Sequence, residues 1–294
     1  MNRCASIGPN SLRTGKRKSP SECCLHIPLA ARRSQWSLVS PPATIPTYTF
    51  GFLVGEVIRR VTGKTVGTVL HDEVAGPLGL NLWIGLPEEK EPIVIPTLPE
   101  PPRQASNNTS EEKPAGDTSA NPARDLPNPL VAAYTASFGG PETPGFMNTR
   151  EAHAAEIPSA NGIGDARSLA KFYAHLIGTV DGTPPLLKAE TLKRATTPQT
   201  DGIPWASPYD LLVPPGTFRW ALGYEKKGLG GQPMLGESSF GHVGSGGRLG
   251  FADLDSGLTV GYICNNPSWD YGTRDPRWMP WMEALQRIAE QGAA

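Results

Sequence analysis

Apolar and polar positions along the chain change from helical to strand-like spacing and back. In the stretch from Phe50 to Gly63, Leu53, Val57, Ile58 and Val61 recur at i, i+4, i+5 and i+8. That is the stripe of a helix with one face on a core, and Gly63 follows it as a stop signal. A second helix is predicted from Thr65 to Val74, through Val69 and Leu70, with Ala75 to Leu80 as the turn that returns the chain to the core. Asp165 to Gly178 predicts the clearest helix, with Asp165 as N-cap and Leu169, Phe172, Tyr173 and Leu176 on its apolar face. Lys188 to Ala195 predicts a shorter one.

From Phe218 the pattern becomes that of strands. Phe218 to Tyr224, Ser238 to His242, Arg248 to Asp253 and Leu258 to Cys264 read as four, with Asp255-Ser256-Gly257 as a tight hairpin turn between the last two. A closing helix is predicted from Pro276 to Gln291, with Trp281, Leu285 and Ile288 on one side. Helices, an antiparallel meander and a covering helix make an α+β layout.

Two regions lack such patterns. Residues 1–45 are rich in Ser, Arg, Lys and Pro and show neither period, which predicts a poorly ordered arm. No aromatic residues interleave the charges of its Lys16-Arg17-Lys18 run, so a nucleic-acid tail is the weaker reading. Residues 90–130 carry Pro92, Pro96, Pro99, Pro101, Pro102, Pro114, Pro122, Pro127 and Pro129, which predicts a surface loop or insertion without regular structure.

Composition narrows the classes further. The 294 residues hold 27 Lys plus Arg against 28 Asp plus Glu, a formal charge of −1. That balance argues against a nucleic-acid partner or a polybasic membrane anchor. Gly and Pro, 33 and 31, imply long loops and exclude a coiled coil. No apolar run approaches the ~18 residues of a membrane span. Cys4, Cys23, Cys24 and Cys264 form neither a metal pattern nor a disulfide framework. No metal or organic cofactor is implied. The basic N-terminus lacks the apolar core of a secretory signal, so a cytoplasmic location is expected.

Two motifs carry chemistry. Ser168-Leu169-Ala170-Lys171 matches S-x-x-K, in which one helical turn sets a Lys amine beside a Ser hydroxyl. With two fixed residues, chance matches are common, and the ordinary reading is a surface helix after Asp165. Phe240-Gly241-His242-Val243-Gly244-Ser245-Gly246-Gly247 joins two strands. Its glycines would let a substrate lie against the strand edge, and the Ser245 N–H could donate to an oxyanion. A Gly-rich turn beside a structural His fits the same residues. Trp205, Tyr209, Trp220 and Trp269 would suit an aromatic-lined pocket or simply a core.

Three segments, taken in order, resemble one family: YTFGFLVGEVIRRVTGKTVGTVLHDEVAGPLGL, EIPSANGIGDARSLAKFYAHLIG and FGHVGSGGRLGFADLDSGLTVGYICNN. They look like the C-terminal two-thirds of serine β-lactamase-like hydrolases, the group of class C β-lactamases, D-alanyl-D-alanine carboxypeptidases and carboxylesterases. The resemblance implies an α+β, β-lactamase/transpeptidase-like fold with an antiparallel sheet flanked by helices, over residues 46–294. It also implies a small-molecule ester or β-lactam-like substrate. It sets His242-Val243-Gly244 where the family has Lys-Thr-Gly or His-Thr-Gly. His242 would then contact the substrate carboxylate or the acyl-enzyme region, with the Ser245 N–H as one arm of an oxyanion hole.

The resemblance also shows what is not matched. The family's catalytic Tyr falls near Ile45-Pro46, where there is none, and Tyr48 is offset by about one helical turn. None of the serines before residue 46 has Lys three residues later. The expectation is an N-terminally truncated member, with residues 1–45 a non-family segment from a frameshift or wrong start codon. Its acyl-serine hydrolysis is then expected to be impaired or lost. A silent ligand-binding remnant, or an interaction protein using the Pro-rich loop, are the alternatives.

Overall fold

A computed structural model describes residues 47–98, 145–204, 216, 218–228, 234–244, 246–267 and 277–292. The chain divides into two units, Met1–Pro42 and Ala43–Ala294, and all of these residues belong to the second.

The centre is a five-stranded sheet: β3 (Arg219–Trp220), β4 (Glu225–Lys226), β5 (Ser239–Gly244), β6 (Arg248–Asp253) and β7 (Thr259–Tyr262). Every neighbour pair is antiparallel and follows chain order, a pure meander. This agrees with the α+β expectation. Asp253, at the end of β6, organises the hairpin into β7. Its N–H bonds the Leu258 carbonyl at 2.9 Å and its carboxylate accepts from the Ser256 N–H and hydroxyl at 3.0 and 2.6 Å. Gly257 takes the left-handed backbone (φ 70°) that closes this turn.

One strand reading needs correction. Phe218 to Tyr224 is not a single strand: it is β3 and then a turn leading into β4. Gly223 adopts φ 86° and the Ala221 N–H bonds the Tyr224 carbonyl at 2.8 Å. A glycine that reads as a weak spot in a strand is here the residue that reverses it.

Helices cover both sheet faces. α5 (Ala166–Ile177) begins at Asp165, whose carboxylate accepts the Ser168 N–H at 2.7 Å as the N-cap reading requires. Tyr173 and Leu176 are buried, and with Phe240, Ala252 and Leu192 of α6 (Ala189–Thr196) they form one core cluster. Glycine permits the close approach: a Cβ on Gly261 would run into the Ala166 carbonyl and the Ala170 amide. The other cluster is Leu235, Leu249, Phe251 and Trp278, capped by Trp281, Met282, Leu285 and Ala289 of α7 (Met279–Gly292). Ile288, expected on that face, is instead 53% exposed.

The segment from Thr47 to Leu78 is less embedded. α1 (Thr47–Thr62) and α2 (Val66–Leu70) are followed by a wide π-turn at His71–Ala75 and by α3 (Gly76–Leu78). Most of the expected core-facing stripe of α1 turns outward: Leu53, Val57 and Val61 are exposed, while Ile58 is half-buried. The body meets α1 through its glycines, with Gly51 against Ser159 and Gly55 against Val66 and Pro158. The Gly51 N–H donates to Ser159 Oγ at 2.8 Å. A small sheet absent from the sequence reading, β1 (Leu82–Trp83) with β2 (Ile163–Gly164), joins this region to α5. After α4 (Arg150–Ala154), Asn161 ties the Glu156–Gly164 loop to the Ala152 carbonyl at 2.8 Å.

The Pro-rich region begins in order rather than irregularly. Glu88–Ile93 forms a 3₁₀ helix that includes Pro92, and the Leu98 N–H bonds the Asn265 carbonyl at 2.6 Å. The rest of the 90–130 loop lies outside the described residues.

Candidate active site

β5 carries the candidate motif out of the core. Ser239, Phe240 and Gly241 are buried, while His242 is exposed and Val243 and Gly244 are half-buried. Alternation sets Phe240 into the α5 cluster, and the strand emerges at His242. Gly241 is required at the transition, because a Cβ there would strike the Gly250 carbonyl and Phe251. On β3 the Trp220 ring stands 5.6 Å from the His242 imidazole, tilted by 52°. Of the four aromatics considered for a pocket, Trp220 is the one within the described residues, and it stands beside the motif.

Beyond Gly244 the chain turns. Ser245, the expected oxyanion-hole donor, lies outside the described residues. The two residues after it are in the left-handed region, Gly246 at φ 78° and Gly247 at 96°. A side chain on Gly246 would meet Arg248 and Pro267. The turn is clamped from α7's side: Arg277 donates to the Gly246 carbonyl at 3.0 Å and Trp278 Nε1 to the Gly247 carbonyl at 3.1 Å. Arg248 donates to the Cys264 carbonyl at 3.1 Å. Sequence reasoning missed these clamps, since an Arg or Trp far along the chain carries no local signal of what it holds.

Glu225 is the other residue the sequence concealed. It sits on β4 opposite Gly241, is 7% exposed, and accepts the Val243 N–H at 2.7 Å. Burial pushes its carboxyl above the usual carboxylate range, against the pull of His242 and of the Val243 bond. A glutamate in a two-residue strand after a Gly turn reads as a solvated position. Nothing local distinguishes it.

The S-x-x-K at Ser168 does not form a Ser–Lys pair. Ser168 is buried at the start of α5, not on the surface, and its Oγ accepts the Asn81 N–H at 3.0 Å. Lys171 points to Asp181, with Nζ to Oδ2 at 3.0 Å. The chain holds a second S-x-x-K that the motif reading omits, Ser110-Glu111-Glu112-Lys113. It lies outside the described residues. Tyr48 falls in the first turn of α1.

A separate depression of about 220 Å³ lies far along the chain from the motif, between Gly67, His71, Asp72, Trp83 and Glu156. Among the described residues no group of His, Cys, Asp and Glu could hold a metal ion. No described helix is long and apolar enough to cross a membrane.

Comparison with known proteins agrees with this architecture. The chain is 30% identical over 224 residues to the esterase/beta-lactamase LipL of Mycobacterium tuberculosis (strain ATCC 25618 / H37Rv), over 74% of this chain and 47% of LipL. Among solved structures, EstA from Arthrobacter nitroguajacolicus Rue61a superposes with a TM-score of 0.64 at 25% identity, covering 84% of this chain and 60% of EstA. A family VIII carboxylesterase superposes at 0.59 with 28% identity, over 82% and 57% of the two chains. A penicillin-binding protein homologue from Caulobacter crescentus superposes at 0.55 with 29% identity, over 83% and 57%. The chain thus spans about half the length of the curated relative it matches. The profile of the Beta-lactamase family matches residues 11–279, so the chain belongs to the beta-lactamase family.

Proposed function

We propose that this chain carries the substrate-facing strand of an ester- or β-lactam-type acyl-serine hydrolase, and that its own hydrolytic activity is weak or lost. The observation behind the second clause is the state of Ser168. A nucleophilic serine needs a base within hydrogen-bond reach, and Ser168 is buried, accepts a backbone N–H and has its Lys turned to Asp181. The first clause rests on His242, Val243 and Gly244, which emerge from a packed sheet beside Trp220 and end in a braced turn. The esterase and carboxylesterase relatives favour a small ester over a peptide as the ligand of that strand.

The test is fluorophosphonate labelling of the purified protein, with the modified peptide identified by mass spectrometry. Folded protein without serine label is the expected result. Label on Ser168 or Ser110 would overturn the reading of weak activity and name the nucleophile.

A further inference from the structure

We propose that the site takes esters with a long hydrocarbon chain, and that this chain lies on an apolar ledge formed by Ile263 and Ile95. The proposal rests on the reading of His242 as ligand-facing.

The ledge and His242 share one face of the sheet. Phe240 and Ala252 pack into the α5 cluster, and a Cβ on Gly250 or Gly261 would strike α5 residues. Side chains alternate along a strand. His242 is two residues after Phe240, Arg248 two before Gly250 and Ile263 two after Gly261, so all three project from the α5 side. α5 starts over Gly261, where its first residue, Ala166, meets that glycine. Ile263 stands beyond that end and is 40% exposed. His242 is exposed as well, and Gly244, paired with Arg248, sets no side chain between them.

The rest of the ledge comes from the start of the Pro-rich region. The Thr97 N–H and carbonyl bond the Asn148 side chain at 2.8 and 2.7 Å. On the other side, the Leu98 N–H bonds the Asn265 carbonyl at 2.6 Å and the Pro96 carbonyl accepts from the Asn265 side chain at 3.3 Å. Bonds that alternate sides are those of an extended strand, so Pro96–Leu98 runs beside the chain that continues β7. Arg248 fixes its orientation by donating to Thr97 Oγ1 at 3.3 Å. Thr97 thus meets a side chain from the His242 face, and alternation sets Ile95 on the same side as Thr97, 73% exposed. A single exposed isoleucine needs no explanation. Here two are brought to one face of the candidate site by one network of bonds.

Reach selects the substrate. Ile263 lies two strands across and two residues along from His242, a separation of roughly 12 Å. An acetyl ester held at His242 leaves the ledge uncovered. A chain of about eight carbons, at ~1.5 Å per bond, spans the gap.

The experiment is an NMR titration of the full chain, labelled at isoleucine methyl groups, with alkyl methyl ketones from ethyl to decyl. These are uncleavable analogues of the esters. Signals of Ile95, Ile263 and His242 are assigned by their loss in Ile95→Val, Ile263→Val and His242→Asn. Short ketones should shift the His242 imidazole alone. Past about eight carbons both isoleucine methyls should shift with it, and affinity should rise about two- to fourfold per methylene. Ile95→Ser, at a mostly exposed position, should flatten that rise while short ketones still shift His242. A long ketone that shifts His242 and leaves both methyls unmoved would overturn the ledge and leave the hydrolase reading intact. So would a rise in affinity that Ile95→Ser does not change. Methyls that move without His242 would also overturn it, marking a surface apart from the site. If no ketone of any length shifts His242, the reading of that residue as ligand-facing fails and takes the proposal with it.

Discussion

The β5–β6 hairpin and α1 are built from similar residues and end in opposite states. In the hairpin, Phe240, Phe251 and Ala252 are fully buried and Leu249 nearly so, with helices on both sides. On α1, Phe50, Leu53, Val54, Val57 and Val61 are between 41% and 61% exposed, while Gly51 and Gly55 make the contact with the body. An apolar stripe marks a face that gains from burial. It does not name the neighbour, and here the glycine face, which lets backbone come close, takes the inner side. Burial, not composition, separates these two parts.

The largest effect that would sharpen this contrast is in the hairpin. Phe251→Ala, which removes a fully buried ring, should cost about 3–5 kcal/mol in equilibrium denaturation. A loss below 1 kcal/mol would mean that the hairpin is no more packed than α1. Next is Asp253→Asn. Its buried carboxylate is pushed up by burial and pulled down further by bonds from Ser239, Ser256 and Ser238, and it ends below the usual carboxylate range. Removing the charge should cost about 1.5–3 kcal/mol at pH 7. The sign with pH follows from linkage. A carboxyl depressed in the folded state stabilises above its unfolded pKa, and that stabilisation is lost as pH falls through the folded value. The difference between Asp253→Asn and the parent should therefore be full at pH 7 and shrink steadily below pH 4. A difference that grows on acidification would contradict it.

Smaller still is Gly241→Ala, which forces a methyl into the Gly250 carbonyl and Phe251. It should cost about 1–3 kcal/mol by overpacking and shift the His242 signal in NMR spectra, since the strand bends where the imidazole emerges. The smallest effect belongs to the other region. Val57→Ser on the exposed face of α1 should change stability by no more than about 0.5 kcal/mol. A loss above 2 kcal/mol would break the comparison, showing that the face is covered in solution.

Much of the site's frame was legible along the chain. The Asp165 cap, the Tyr173 and Leu176 face, the β6 boundaries and the Gly257 turn all follow from short-range rules, and each is found where those rules set it. His242 and Gly244 were singled out by glycine spacing and by resemblance, and the structure sets both where β5 leaves the core. What was hidden depends on partners remote in sequence. Glu225 is 18 residues from the Val243 N–H it accepts, and Arg277 is 31 from the Gly246 carbonyl it holds. Ser168 looked like half of a catalytic pair, but the Asn81 N–H, 87 residues away, occupies its hydroxyl.

By itself, then, the sequence determined the local elements of this protein and its family. Both are written in periodicity, caps, turn glycines and ordered motifs, which act within a few residues. Tertiary structure alone decided which face of α1 turned inward, which serine was engaged and which carboxylate accepted the Val243 N–H. Those outcomes depend on burial and hydrogen-bond satisfaction between segments far apart in the chain, and no local pattern encodes which distant group fills an unpaired donor.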